Sequence, residues 1–425
     1  MRVLDRSMAV VCLSLLVAQP ALAGTAGNGA PPSAANPELE PAAAVAAHRS
    51  PLVGPVALRA YVAKRYPDEG LKDELTPLGR RARGFYITAP YLYRVGAERV
   101  AASMTAAHVN AVVVDLKDDW GTVAWRSAVP LSRHVQTPLF DVAKLAQTFH
   151  AHGLYFIARL VAFKDSRLPR LRRDLAVRLA AEPEHLLSAS RRGALWLDVY
   201  AAEAQDYLID LARELASLGV DEIQFDYLRF PPGRSVGRWL HADQRDHATV
   251  ITQFLERVDR ALQLPISVDI FGLTTLVRGD PRRIGQSVEL LARYAEAISP
   301  MMYANGMHSY FAGQRVTEEV YALIHCGLWS ARQRVPQVVL RPFLQAYPNG
   351  VRSFWSPAFI ARQLDAAERA GANGFLLWNA SMKNDVAYGS LRQLGAERLA
   401  RFGADEALHL RPENRPRGFF CREQP

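Results

Sequence analysis

Several things are scarce in this sequence, and each scarcity removes a class of function. No apolar run reaches the roughly 20 residues that a membrane span needs; the run at 8–17 falls far short. Basic residues outnumber acidic ones, 51 Lys and Arg against 42 Asp and Glu, yet they form no dense block. Nucleic-acid binding is therefore not expected, and the excess reads as a solvated basic surface, compatible with attraction to an anionic envelope polymer or a membrane surface. No self-similarity at a period of roughly 20 to 50 residues marks a repeat protein. Cysteine occurs only at positions 12, 326 and 421, so at most Cys326 and Cys421 remain to pair once an N-terminal segment is removed; a free buried Cys326 is the alternative.

What is present at the N-terminus is a secretory signal. Arg2 and Arg6 precede the apolar run, and Ala21-Leu22-Ala23 stands before Gly24, which predicts cleavage after Ala23. No cysteine follows that site, so no lipid anchor is implied, and the location expected is periplasmic or secreted. Cleavage removes two arginines and one aspartate, which takes the formal charge from +9 to +8. Residues 24–50 are Ala, Pro, Gly and Ser with few large apolar groups, and read as a flexible linker. An N-terminal extension follows at 51–83, with a short helix at 57–66, and a C-terminal tail is expected at 401–425.

Between them runs a rhythm of strands and helices over 84–400. Strands are predicted at 84–89, 110–117, 154–160, 221–230, 266–271, 297–303, 338–345 and 374–379, with helices at 96–108, 141–152, 206–218, 249–262, 284–294 and 357–370. Eight strands alternating with helices require a parallel sheet that closes on itself, so the fold class expected is α/β, a (β/α)8 TIM barrel. An open doubly wound sheet is the runner-up. It would want a glycine-rich phosphate turn after an early strand, and Ala89-Pro-Tyr-Leu-Tyr93 has none.

The stretch Gly219 to Pro232 organises the reading. Ile223, Phe225 and Tyr227 alternate with Glu222, Gln224 and Asp226 before Pro231-Pro232, so Asp226 is offered at the C-terminal rim of a buried strand. The same parity on the other strands points Asp115 and Lys117, Arg159, Gln224, Ser267 and Asp269, Tyr303, Arg341 and Gln345, and Trp378 or Asn379 toward one interior. So many ionisable groups are costly to bury together unless they pair, as Asp226 with Arg159, Asp269 with Arg341, or Lys117 with Asp115 would. A functional site is the reading that accounts for the whole ring.

Other barrel chemistries lack their residues. A zinc amidohydrolase needs His-x-His on the first strand, which is absent, and His308 is a lone loop histidine. Schiff-base chemistry has only Lys117, and the turns after strands seven and eight are poor phosphate cradles. No metal and no cofactor are expected. Two carboxylates on adjacent strand ends among aromatic residues suit glycoside hydrolysis. Asp226 is the candidate nucleophile or stabiliser and Asp269 the candidate acid/base, with Asp115 and Glu222 as substitutes. Lys117, Arg159, Gln224, Tyr227, Arg229, Tyr303, Arg341, Gln345, Trp378 and Asn379 are the candidate substrate contacts, and Tyr91, Tyr93 and Trp120 could also stack on sugar rings. The partner expected is a carbohydrate polymer, with no nucleic acid and no stable membrane insertion; the oligomeric state is not readable. A silent carbohydrate-binding barrel and a metal-dependent polysaccharide deacetylase are the alternatives.

Nine ordered motifs then carry a resemblance. Gly84-Phe-Tyr-Ile-Thr88, Asn110-Ala-Val-Val-Val-Asp-Leu-Lys-Asp118, Ala158-Arg-Leu-Val-Ala-Phe-Lys-Asp165, Asp221-Glu-Ile-Gln-Phe-Asp-Tyr-Leu-Arg-Phe-Pro231, Val268-Asp-Ile-Phe-Gly272, Ile284-Gly-Gln286, Ile298-Ser-Pro-Met-Met-Tyr303, Arg341-Pro-Phe-Leu-Gln345 and Leu377-Trp-Asn379 resemble the bacterial putative glycosyl hydrolase domain family, over about residues 83–390. The resemblance implies a TIM barrel related to α-amylase-like and α-galactosidase-like barrels, with a glycosidase-like site. It also implies a nucleophile aspartate at the end of strand four, matching Asp226, and an acid at the end of strand five, where Asp269 replaces the usual glutamate. The aspartate such barrels carry on strand seven is replaced here by Arg341 and Gln345.

Overall fold

Short runs of Val, Ile, Leu and Phe, most of them buried on both faces, supply eight parallel strands. These are β1 (Arg83–Thr88), β2 (Ala111–Lys117), β3 (Tyr155–Val161), β4 (Glu222–Asp226), β5 (Ile266–Phe271), β6 (Ala297–Met302), β7 (Val339–Leu340 and Phe343–Gln345) and β8 (Phe375–Trp378). Pro342 has no N–H for the ladder, which is why β7 comes in two pieces. The structure, a computed structural model, describes residues 75–187, 193–231, 245–280, 283–304, 316–348, 356–405 and 407–416. Each strand pairs with the next in sequence, and β8 pairs back to β1 through Arg83 with Phe375 and Phe85 with Leu377. The barrel is thus closed, a (β/α)8 TIM barrel. Packing is tight on both sides of β1: a Cβ on Gly84 would lie 2.4 Å from the Ala111 carbonyl oxygen toward β2, and at the seam one on Gly374 would lie 2.0 Å from that of Ala82.

The outer ring comprises α1 (Ala97–Ala106), α2 (Val142–Ala151), α3 (Ala202–Ser217), α4 (His247–Ala261), α5 (Val288–Leu291), α6 (Val316–Arg334), α7 (Pro357–Arg369) and α8 (Asp385–Leu399). Asp141, Asp246 and Ser356 cap α2, α4 and α7 by accepting a main-chain N–H from the first turn. The helix expected over 284–294 shrinks to the single turn α5. Gly285 has φ 89°, and the Asp280 carboxylate takes the N–H groups of Ile284 (3.1 Å) and Gly285 (2.6 Å), so this stretch is held as a loop. Helices α6 and α8 and the additions after β2 and β3 are not anticipated. Val123–Trp125 and Gln136–Phe140 extend the sheet from β2, and Arg178–Leu179 with Glu182–Leu186 forms a hairpin before α3.

The N-terminal end of the barrel is closed by its own polar cluster. The short helix Pro77–Arg80 lays Gly79 against the Tyr155 ring, where a Cβ would come within 2.7 Å. Arg341, fully buried, donates to the Gly79 carbonyl (3.1 Å) and pairs with Glu222, which also accepts from the Tyr155 hydroxyl (3.2 Å). Arg341 and Glu222 therefore sit at the opposite end of the barrel from Asp226. Parity alone could not reveal this, since inward-pointing residues of one parity line the barrel along its whole length.

The segments read as signal (1–23) and linker (24–50), the helix at 57–66, His308 and Cys421 lie outside the described residues. Cys326 is buried and disulfide-bonded. From the C-terminal tail, Phe402 is buried with its ring 5.0 Å from that of Phe375. Among the described residues no helix is long and apolar enough to cross a membrane.

Candidate active site

At the C-terminal ends of β2 to β5 the inward residues are Asp115, Arg159, Asp226 and Asp269. Asp115 and Arg159 are direct register partners. The β4–β5 ladder runs Ile223 with Ile266, Gln224 with Ser267 and Phe225 with Val268; Asp226 and Asp269 are the next residues on each strand. Two carboxylates thus stand side by side just past the last paired rung. The Arg159 guanidinium joins them. It donates to both Asp115 and Asp226, and its Nε lies 3.9 Å from Asp269 Oδ2. The nearest oxygens of Asp226 and Asp269 are no further apart than these two contacts plus one guanidinium, inside the upper limit of roughly 9.5 Å for carboxyl pairs that cleave glycosides.

The three carboxylates have different surroundings. Asp226, 6% exposed, has Arg159 on one oxygen and the Tyr227 N–H on the other (2.5 Å). Asp115, 7% exposed, pairs with Arg159 and accepts from the Tyr86 hydroxyl (2.8 Å). Burial raises its pKa to about 6 against the opposing pull of Arg159. Asp269 is 1% exposed, and among the described residues its Oδ1 has no hydrogen-bond partner. Burial first, and the Asp226 carboxylate second, push its pKa well above the ordinary range, with Arg159 only partly offsetting them.

That arrangement has a consequence for stability. A carboxyl whose folded pKa is raised contributes stability present below its unfolded value of about 4 and lost as pH rises toward the folded pKa. Asp269→Asn removes this loss, so the variant is expected to melt above wild type at pH 7.5 and level with it near pH 4. Calorimetric scans at the two pH values check this, and an equal gap at both would contradict the raised pKa of Asp269.

The remaining candidates divide into those the fold brings to this centre and those it does not. Tyr303, almost fully buried, has its ring 5.2 Å from that of Trp378 at 30°, and Tyr86 and Tyr347 approach Trp378 at 6.1 and 5.2 Å, which makes an aromatic wall. Tyr227, with φ 49°, faces Lys164 (4.7 Å from its ring centroid) and Arg229 (4.9 Å). Arg229 also lies over Trp196 and Phe271, 4.8 and 4.9 Å from their centroids. Gln224 and Ser267 occupy the buried layer beneath, with Gln224 donating to Ser299 Oγ (3.3 Å). Trp120 and Tyr93 are exposed on the segments following β2 and β1, while Tyr91 is partly buried against the core.

Lys117 does not pair with Asp115. Its Nζ donates to the Val161 carbonyl (2.9 Å) and lies 3.0 Å from Asp165 Oδ2, so a fully buried pair ties β2 to the segment after β3. Asp269 does not pair with Arg341, which is engaged at the far end. Asn379 shapes the turn after β8, donating to the Lys383 carbonyl (2.9 Å) and accepting from Ser381 N (3.0 Å) and Oγ (2.7 Å). Gln345 is fully buried and donates to the Tyr347 carbonyl (3.0 Å). Reading the sequence missed Tyr86, Lys164, Asp165 and Trp196. Tyr86 has the parity of Gly84 and Thr88 on a strand to which no inward residue was assigned, whereas Asp165 and Trp196 lie in a long insertion without periodic pattern. Among the described residues no three His, Cys, Asp or Glu side chains are grouped to hold a metal ion.

The model of a family described as "Putative glycosyl hydrolase domain" matches residues 84–384. Among solved structures the chain is similar to a hypothetical protein from Ruminiclostridium thermocellum ATCC 27405, at 30% identity over 44% of this chain and 96% of that one, with a TM-score of 0.38. It is similar to the PgaB (BpsB) glycoside hydrolase domain from Bordetella bronchiseptica at 13% identity, over 73% of this chain and 98% of that one, with a TM-score of 0.54. It is also similar to alpha-L-fucosidase isoenzyme 2 from Paenibacillus thiaminolyticus at 13% identity, over 77% of this chain and 50% of that one, with a TM-score of 0.53. The last two likenesses are of fold. No curated protein matches the chain.

Proposed function

The chain belongs to the putative glycosyl hydrolase domain family, and from that membership and the centre on β2 to β5 we propose that it hydrolyses glycosidic bonds of a polysaccharide or cell-envelope glycan by a two-carboxylate mechanism. Asp269 gives its proton to the glycosidic oxygen as the bond to the anomeric carbon breaks. Asp226 either attacks that carbon or stabilises its positive charge, and water completes the hydrolysis. The observation that carries this reading is the asymmetry of the pair. Asp269 is pushed toward its protonated form at the pH where a proton donor is needed, while the oxygens of Asp226 carry a guanidinium and an amide N–H. The aromatic wall of Trp378 and Tyr303 offers ring faces to a sugar. Export to the periplasm or beyond, as the N-terminal signal implies, would bring such a site to glycans outside the cytoplasm.

One observation favours a second reading, a barrel that binds glycan without cutting it. Arg159 engages Asp115 and Asp226 together, and Asp269 is almost fully covered. Incubating the purified protein with bacterial exopolysaccharides and plant glucans separates the two. New reducing ends are expected; binding to a glycan with no new ends across the panel would establish the silent barrel instead.

A further inference from the structure

Gln286 lies in Ile284-Gly285-Gln286, a motif to which neither the barrel nor the mechanism has yet given a role. Its side chain is 1% exposed and sits where the β4–β5 ladder has stopped. Oε1 accepts the Phe271 N–H (3.0 Å), and Nε2 donates to the Asp269 carbonyl (3.3 Å) and, more weakly, to the Leu228 carbonyl (3.5 Å). The amide thus grips β5 on both sides of Ile270, directly after Asp269, and reaches across to the segment that leaves Asp226. It supplies the cross-links that paired backbone would have made had the ladder continued. Everything around it serves to place it. Asp280 holds the two preceding N–H groups, and Gly285 adopts φ 89° where a Cβ would lie 2.5 Å from Ile251 Cγ1 and 2.9 Å from the His247 carbonyl oxygen.

We propose that Gln286 is a positioning residue that sets the spacing of the two carboxylates, holding the end of β5 against the end of β4 so that Asp269 stays covered and close to Asp226. The proposal rests on the reading of Asp269 as proton donor for its catalytic consequence, though not for its structural one. Without the amide the two strand ends are free to part and water can enter. The groups that face Asp269 are Asp226 from β4, Arg159 from β3 and Tyr303 beyond β6, while Arg341 and Glu222 act on it from the barrel floor. Parting moves Asp269 from Asp226 and lowers its burial, and both changes favour its ionised form.

The test is a carboxyl-carbon NMR titration of the full chain labelled at aspartate, with the Asp269 signal assigned by its loss in Asp269→Asn. In Gln286→Met, similar in size and unable to make these bonds, the Asp269 midpoint is expected to fall by about one pH unit or more, a unit being tenfold in the ionisation equilibrium. Gln286→Asn, which keeps a neutral side-chain amide one methylene shorter, is expected to fold even where the Met variant does not, and to give a smaller fall. Gln363→Met is the control. Gln363 makes a comparable strut, bonding the Gln345 N–H and carbonyl at 3.0 Å each, away from the carboxylates. An unmoved midpoint in both Gln286 variants, or an equal fall in the Gln363 control, overturns the proposal. Kinetics then separate it from the mechanism. Gln286→Met is expected to lose about 10²-fold in kcat with little change in KM, the scale of a displaced catalytic group. An Asp269→Asn variant with full activity would instead sink the proton-donor reading and leave the titration result standing.

Discussion

Asp226→Asn is expected to lower kcat/KM for glycan hydrolysis by about 10⁴-fold, the scale on which removing one member of a catalytic set is felt. The substitution is nearly isosteric. Asn keeps an oxygen for the Tyr227 N–H, and Arg159 keeps Asp115 beside it, with Asp269 3.9 Å from its Nε. What it removes is the charge that must attack or face the anomeric carbon, so the loss should appear in kcat rather than in glycan affinity. Reducing-end kinetics and a urea titration on the same preparation check both halves. Full activity would remove Asp226 from the mechanism, and a collapse of the urea midpoint would mean that the fold, not the chemistry, had been tested.

The frame of this site is legible in the sequence because parallel barrel strands, buried on both faces, read as unbroken apolar runs. The eight strands fall within one or two residues of expectation, apart from the end of the segment around Asp226 and the interruption of β7 at 341–342. Helix stops at Gly153, Gly219 and Gly371 adopt positive φ as their positions imply. The four central groups are legible for a related reason: alternation sets which side chains turn inward, and position in the strand sets which of them reach the rim. Arg341 shows where that logic fails. It has the right parity, but Pro342 interrupts its strand and the side chain runs to the floor, where Gly79 and Glu222 take it. Lys117 fails differently, since its partner Asp165 lies after β3 in a segment without period, and Asp115 is already taken by Arg159. The shortened helix α5 is a tertiary override. The apolar pattern over 284–294 is helical, but the Asp280 carboxylate and the strut made by Gln286 hold its first residues in a loop.

Arg159→Met is expected to cost about 3–5 kcal/mol of stability at neutral pH, because removing the cation leaves buried carboxylates without compensation. Three of them depend on it: Asp115 and Asp226 by direct bonds and Asp269 at 3.9 Å. The sign of the pH dependence distinguishes this cause from lost packing. Without the guanidinium the folded-state pKa values of Asp115 and Asp269 rise further above their unfolded values of about 4. The stability tied to them is then present below about pH 4 and lost as pH rises, so the deficit against wild type should be large near pH 7.5 and small near pH 4.5. Urea midpoints at the two pH values measure it. Adding Asp115→Asn, which removes the carboxylate whose pKa is already pushed to about 6, should recover part of the loss at the higher pH only. A deficit equal at both pH values would mean that Arg159 acts as a packed side chain, and that the carboxylates of β2, β4 and β5 do not depend on its charge.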